Sequence, residues 1–292
     1  MTGLYYEQAM VTIIIPSRDE PHLNKTIKDI LKKATGEFEI IVHIDGKAPN
    51  LIQDKRVKYI IDRKPVGMRT GINKAIKMAK GKMILKCDAH CAFAKGFDEV
   101  LARDCRWNMV MIPRRYSLDP DTWDRDLNRR VRDNCYLSAP IETDWGKVMA
   151  VVDGKEKNPD KLIDDTMIFQ GSCWIANKAY FLDKVGYLNP ELYSEFGGEQ
   201  MEIGLSYWLK GGQVKRNKKT WYAHLHKGKS YYLANKMFNK GYKKAPESVE
   251  GRTRGTEHWL KSREPDLIHT FDWLIDKFWP VPTWPDNWRK LW

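Results

Sequence analysis

Cysteine is scarce in this sequence, and long apolar runs are missing from it. The five cysteines, Cys87, Cys91, Cys105, Cys135 and Cys173, are odd in number and nowhere take C-x-x-C spacing. That excludes a disulfide framework and a structural zinc site, and leaves reduced thiols. The first apolar run, "MVTIII", stops at Pro16, too soon for a signal peptide or a membrane span. A soluble, cytoplasmic protein with no transmembrane segment is expected. Acidic residues are in the minority: 38 Asp and Glu stand against 50 Lys and Arg, a formal net charge of +12. Such an excess draws polyanions (nucleic acid, anionic membrane, phosphorylated donors) and says nothing about fold. There is no internal repeat and no low-complexity segment. At 292 residues, 42% of them hydrophobic, the chain holds one large globular domain, or one domain with an appendage.

The first hundred residues alternate strand and helix signals. "MVTIIIP" is a short β-branched run closed by proline; "EIIVHID", "VKYIID" and "KMILKCD" are further strands. Leu23, Ile27, Ile30 and Leu31 lie on one helical face, as do Ile72, Ala75, Ile76 and Ala79, with Gly81 as a C-terminal cap. This alternation predicts an α/β fold with a mostly parallel central sheet flanked by helices. Ligands in such sheets sit outside the carboxyl ends of the strands. Residues 114–165 are charged and turn-rich and read as long excursions over a site. "MIFQGSCWIA" reads as a strand, "KAYFLDKVG" as a short helix, "SEFGGEQMEIGLSYWLKGG" as loop, helix and double glycine, and "TWYAHLHKG" as a strand or strand end. The boundaries expected are 1–228 for a catalytic domain and 229–292 for a basic, tryptophan-rich appendage.

One stretch, "KCDAHCAF", sets Asp88 and His90 two residues apart at the end of the fourth strand. Taken alone, such a pair is more often solvated than metal-bound. A second histidine-bearing strand end, "AHLH", and an acidic cluster between glycines and a helix, "GGEQME", follow downstream. A carboxylate with imidazoles suits Mn²⁺, with Mg²⁺ as the other choice, and leaves positions open for diphosphate oxygens. Either His224 or His226 completes the set, because alternate strand residues share a face.

In order, "VTIIIPSRDEPHLNKTI", "HIDGK", "GMRTGINKAIKMAKGKMILKCDAHC" and "GGEQMEIGLSYWLKGGQV…AHLHKGKSYY" resemble the nucleotide-sugar glycosyltransferases of the GT-A fold. The likeness is greatest to the polypeptide N-acetylgalactosaminyltransferases and related family 2 glycosyltransferases, and covers roughly residues 10 to 233. The resemblance implies that Asp88, His90 and His224 hold the metal. It sets Pro16 and Ser17 at the uracil and ribose, Asp45 near the base, Gly171 and Gly198 close to the sugar, and Glu199 on its hydroxyls. Lys227 and Tyr232 fall where the family has an arginine and a tyrosine on the diphosphate. Phe196 stands where tryptophan usually precedes Gly-Gly, and Arg69 is one place off the family's G-L-x-R arginine. Asp45 has a second reading as a turn cap before Gly46, and Glu199 and Glu202 as acids favoured at a helix start.

The activity implied is transfer from a UDP-sugar to a hydroxyl, with Lys227 helping the diphosphate to depart. Retention needs no protein base; inversion would use Glu199 or Glu202 as one. Charge and the aromatic tail suit a polyanionic acceptor, hydroxymethylated DNA of a virus such as a bacteriophage, gripped through phosphates and base stacking. The alternatives are protein Ser/Thr or a cell-surface glycan or lipid-linked sugar, and, in another class, a non-catalytic nucleic-acid or glycan binder. A nucleotidyltransferase would carry a glycine-rich phosphate loop after the first strand, and "PSRDEPH" is not one.

Overall fold

Runs of valine and isoleucine that leave no polar face make the central strands: all eight residues of β2 (Phe38–Asp45) are buried, as are all but Pro16 of β1 (Val11–Ser17). That pattern belongs to a parallel sheet covered on both faces. The computed structural model describes residues 9–143, 146–195, 197–226, 246–261 and 264–290. The other strands of the main sheet are β3 (Val57–Asp62), β4 (Met83–Cys87), β5 (Cys91–Phe93), β6 (Met109–Asp119), β7 (Asp124–Asp126), β12 (Ile163–Asp165), β13 (Cys173–Asn177) and β14 (Gln213–His224). Between β7 and β12 lie β8 (Cys135–Leu137), β9 (Ile141–Thr143), β10 (Gly146–Val148) and β11 (Val151–Asp153), in two short antiparallel pairs.

The strand order is β12-β14-β6-β13-β4-β1-β2-β3, with β5 and β7 paired at the side to β14 and β6. Along that path β1 pairs in parallel with β2 and β4, β2 with β3, and β6 with β14. Helices α1 (Leu23–Lys33) and α2 (Met68–Met78) cross over between parallel strands, each burying one face: Leu23, Ile27 and Ile30 from the first, Ile72, Ala75 and Ile76 from the second. The remaining described helices are α3 (Phe97–Asp104), α4 (Lys178–Lys184), α5 (Pro190–Tyr193), α6 (Glu199–Leu209), α7 (Pro246–Leu260) and α8 (Phe271–Phe278). None of them is long and apolar enough to cross a membrane.

Three expectations need correction. Residues 114–119 are not part of an excursion: β6 continues through them, paired to β14 on one side and β7 on the other. Pairing on both edges outweighs their charge, which is met in place by ion pairs such as Arg114–Asp133 (2.8 Å). "MIFQGSCWIA" is a strand only from Cys173 on. Among the described residues of the tail, three tryptophans are core and not a stacking surface. Trp259, Trp284 and Trp288 are buried in the core cluster that also holds β1 and β4, and the Trp284 indole donates to the Leu137 carbonyl at 2.8 Å. Burial of each large side chain is worth about 1.5–3 kcal/mol, and rings so placed are not presented to bases.

Candidate active site

The sheet brings the sequence candidates together through one strand that the sequence does not announce. After β4 the chain turns at Asp88–His90 and returns as β5, which pairs antiparallel with the end of β14 and sets Cys91 opposite His224. The Leu225 amide donates to the His90 carbonyl (3.1 Å), and the Asp88 amide donates to that of Ser172 (2.9 Å). The turn is thereby tied on both sides. Asp88, His90 and His224 each offer a ligand atom, all within 4.8 Å of one another. Asp88 Oδ2 lies 3.1 Å from His224 Nε2, and the two imidazoles stand 4.7 Å apart at their centroids.

His226 does not join them. β14 ends at His224, so strand alternation no longer governs residue 226. The His226 ring sits edge-on to His224, with its Nε2 3.3 Å from Arg115 Nη1. Burial, ahead of the neighbouring arginines, lowers its pKa to about 4.

The electrostatics hold these groups ready as ligands. Burial pushes the His224 imidazole down to about 3, against the pull of the Asp88 hydrogen bond, so it is neutral at physiological pH. Burial alone would raise the Asp88 carboxyl. The Lys86 charge, with His224 and His90, outweighs that and holds it well below the usual carboxylate range. Glu20, in the loop after β1, meets His90 Nδ1 at 3.0 Å through its Oε2 and takes the His22 amide on its Oε1 at 3.1 Å. That contact takes up Nδ1 and leaves Nε2 as the ring's other nitrogen for a ligand. A carboxylate on the far nitrogen of a metal-ligating imidazole is a recurring arrangement, and the donor set as a whole fits a borderline divalent cation.

Two of these groups escape sequence reasoning. Lys86 is the larger omission: wholly buried, it donates to Asp88 Oδ1 at 2.6 Å and to the Gly171 carbonyl at 2.7 Å, and stands 3.8 Å from Glu199 Oε1. Its signal was a lone lysine inside the apolar strand "MILKC". Such a charge is tolerated there only when paired. Glu20 carried no signal beyond its place in "PSRDEPH".

The donor-side candidates divide. Pro16 and Ser17 end β1, Pro16 partly exposed and Ser17 buried. Gly171 packs on Glu199 so closely that a Cβ there would overlap Oε1. Gly198 takes the left-handed conformation (φ 76°) that starts α6 and delivers Glu199 to its first turn. Glu199 is 6% exposed, and its Oε2 is buried without a hydrogen-bond partner among the described residues.

Asp45 is spent internally. Its oxygens accept from Arg18 Nε (2.7 Å) and from the amides of Val66 (2.7 Å) and Gly67 (3.1 Å). Arg69 is likewise not open to a ligand. Fully buried, it pairs with Glu202, donates to the Gly197 carbonyl at 2.8 Å and lies over the Tyr193 ring. It fastens α2 to the glycine turn. Glu202, also taken by the Asn189 amide (2.8 Å), is that arginine's partner rather than a free base. Phe196, Lys227 and Tyr232 lie outside the described residues. The tail also reaches here, since a Cβ on Gly197 would fall 2.5 Å from Arg252 Nη2 on α7.

A mostly parallel sheet with a carboxylate–imidazole cluster at the carboxyl end of β4 and a buried acid across from it is the arrangement of the GT-A fold. The chain belongs to glycosyl transferase family 2, whose family model matches residues 12–182. A Drosophila melanogaster protein named as putative polypeptide N-acetylgalactosaminyltransferase 13 is 24% identical over 232 residues, 71% of this chain and 40% of its own length. The chain therefore spans under half of that relative. Among solved structures, GalNAc-T7 with UDP, GalNAc and Mn²⁺ superposes with a TM-score of 0.67 at 15% identity, over 87% of this chain and 50% of that one. The mannosyltransferase PcManGT of Pyrobaculum calidifontis, with GDP-Man and Mn²⁺, gives 0.51 at 11% identity over 87% and 71%. At such identities the structural likeness speaks for the fold.

Proposed function

We propose that this glycosyltransferase uses a divalent cation, Mn²⁺ or Mg²⁺, held by Asp88, His90 and His224, to move a sugar from a UDP-sugar to a hydroxyl of a macromolecular acceptor. The observation that carries the reading is the convergence of those three ligand atoms within 4.8 Å, beside a buried carboxylate one of whose oxygens has no hydrogen-bond partner among the described residues. The cation would offset negative charge on the departing diphosphate.

The protein's own groups do the rest. Glu20 fixes the His90 ring, Lys86 holds Asp88 and Glu199 in register, and Glu199 Oε2 accepts from a hydroxyl of the donor sugar. Lys227 and Tyr232 are assigned to the diphosphate. The anomeric carbon leaves the diphosphate oxygen and bonds to the acceptor oxygen, whose proton passes to the departing diphosphate. Retention is favoured because Glu202 is bound by Arg69 and the Asn189 amide, and Glu199 stands against Lys86. Glu202 is not free to act as a base, and the open oxygen of Glu199 is given to the donor sugar's hydroxyl.

The acceptor we assign is DNA bearing hydroxymethylated bases, in the cytoplasm of a bacterial or virus-infected cell. Support comes from the net charge of +12 and from arginines grouped next to the cation ligands. A protein Ser/Thr acceptor is the second reading, favoured by the similarity to a polypeptide N-acetylgalactosaminyltransferase.

Isothermal titration of UDP, UDP-glucose, UDP-GlcNAc and UDP-GalNAc, with Mn²⁺ or EDTA, tests the donor half on wild type and His90→Ala. Manganese-dependent binding lost in the variant is the expected result. Binding indifferent to both would end this reading.

A further inference from the structure

The segment 130–132 separates two recesses of opposite character. On one side, Arg114, Arg130 and Arg132 share a recess with Asp133, Asp153 and Glu156, and charge is balanced in place. On the other, a recess of about 210 Å³ is lined by Ser117, Arg129, Arg130, Arg132 and His226, with no carboxylate among the described residues of its wall. The acids that reach its arginines come from outside it: Asp126 meets Arg129 at 3.1 Å and Asp153 meets Arg132 at 3.6 Å, the two guanidinium side chains being 66% and 57% exposed. Exposed pairs like these contribute little, being screened by solvent, and give way readily to a better anion.

The backbone beneath is fixed. The Arg132 amide donates to the Arg115 carbonyl (3.4 Å), and Arg115 Nε donates to the Arg132 carbonyl (2.7 Å). Ser117 stands directly opposite His224 in the β6–β14 ladder, so the recess adjoins the cation ligands.

We infer that this recess is a phosphate subsite for the acceptor, binding a backbone phosphodiester of DNA through Arg129, Arg130 and Arg132 while a base-borne hydroxyl is presented at the neighbouring cation site. Guanidinium groups suit this because each offers a planar fork matched to phosphate oxygens. Since phosphate contacts position and carry no sequence information, the subsite would orient any DNA acceptor. This assignment rests on the glycosyltransferase reading above and adds the acceptor's contact.

The test is fluorescence anisotropy of a short labelled DNA duplex over a salt series, run on wild type, Arg130→Ala, Arg129→Ala/Arg132→Ala and Arg130→Lys, beside titration of the UDP-sugar with Mn²⁺. Each arginine removed is expected to lower the slope of log K against log salt by about 1, and the double variant to bind DNA about tenfold more weakly at low salt. Arg130→Lys should keep the salt slope, because it keeps the charge, and lose part of the affinity, because it loses the planar fork. Heparin is the control polyanion. If it binds as tightly as DNA and with the same arginine dependence, the recess is a general cationic patch and the inference fails. It fails as well if the variants bind DNA as wild type does, or if they lose UDP-sugar affinity to the same degree, which would give the recess to the donor's diphosphate. Absence of manganese-dependent UDP-sugar binding in wild type would instead overturn the catalytic reading underneath.

Discussion

Lys86 and Asp88, two residues apart at the end of β4, are joined by a 2.6 Å ion pair, and the lysine is wholly buried. A strand sends successive side chains to opposite faces, so residues two apart share one. Here the shared face also receives Glu199 from α6, 3.8 Å away. Lys86 is therefore the fixed cation between two acids that would otherwise repel each other next to a divalent site. Removing one partner of a buried pair costs about 3–5 kcal/mol, and Lys86→Met should lose about that much in urea denaturation with EDTA present. The double variant Lys86→Met/Glu199→Gln should recover part of it, since one of the stranded charges is gone. A cycle with no coupling between the two positions would refute the shared-cation account.

Glu20 offers a cleaner probe of the cation site because it is not itself in the ligand cluster. Its carboxylate holds His90 Nδ1 at 3.0 Å, and outer partners of this kind are typically worth about 10–100-fold in metal affinity. Glu20→Gln should weaken Mn²⁺ binding by that factor, read by calorimetry, with the circular-dichroism spectrum unchanged. An unaltered affinity would mean the His90 ring is fixed by its strand alone.

What the sequence made legible follows the range of its signals. Helix periodicity and β-branched runs placed β1 to β4, α1 and α2, because those patterns are local. Asp88 and His224 are 136 residues apart and are brought together by β5, three residues long and too brief to show a period. Arg69 and Glu202 carry the same lesson in reverse. In the sequence Arg69 stands one place off the family's arginine and Glu202 reads as a base or as an acid favoured at a helix start, and in the fold each is the other's partner. The tail tryptophans read from the sequence as mostly core or lid material, but their partners, Leu137 for Trp284 and Trp208 for Trp273, depend on where the sheet lies.

Asp165 ties that tail to the sheet. It sits 2.5 Å from Lys215 on β14 and 2.9 Å from Lys277 on α8. Burial would raise its carboxyl, and the two lysines outweigh that and lower it. A carboxyl whose folded pKa lies below its unfolded value stabilises above the unfolded value, about 3.9, and loses that contribution as pH falls through the folded one. Asp165→Asn should cost about 1 kcal/mol near neutrality, and its denaturation midpoint should begin to approach that of wild type as pH falls below about 4 and meet it once pH is below the lowered folded pKa. Parallel curves down to lower pH would show that the ion pairs do not hold the tail.

Gly171 carries the last prediction, because its lack of a side chain makes room for Glu199. A methyl group built there would overlap Glu199 Oε1 and sit 2.8 Å from Cδ, closer than real contacts allow, and the Gly171 carbonyl must stay where it accepts from Lys86 at 2.7 Å. The backbone is held and the carboxylate is what must shift. Overpacking of this kind costs about 1–3 kcal/mol, so Gly171→Ala should fold with reduced stability and with Glu199 turned away from the donor. If Glu199 accepts from the donor sugar, the variant should bind UDP almost normally, since UDP lacks the sugar, while UDP-sugar affinity and turnover fall together by about tenfold or more. Equal losses for UDP and UDP-sugar would indicate a general collapse of the site. Full activity in the Gly171→Ala variant would show that Glu199 does not touch the sugar.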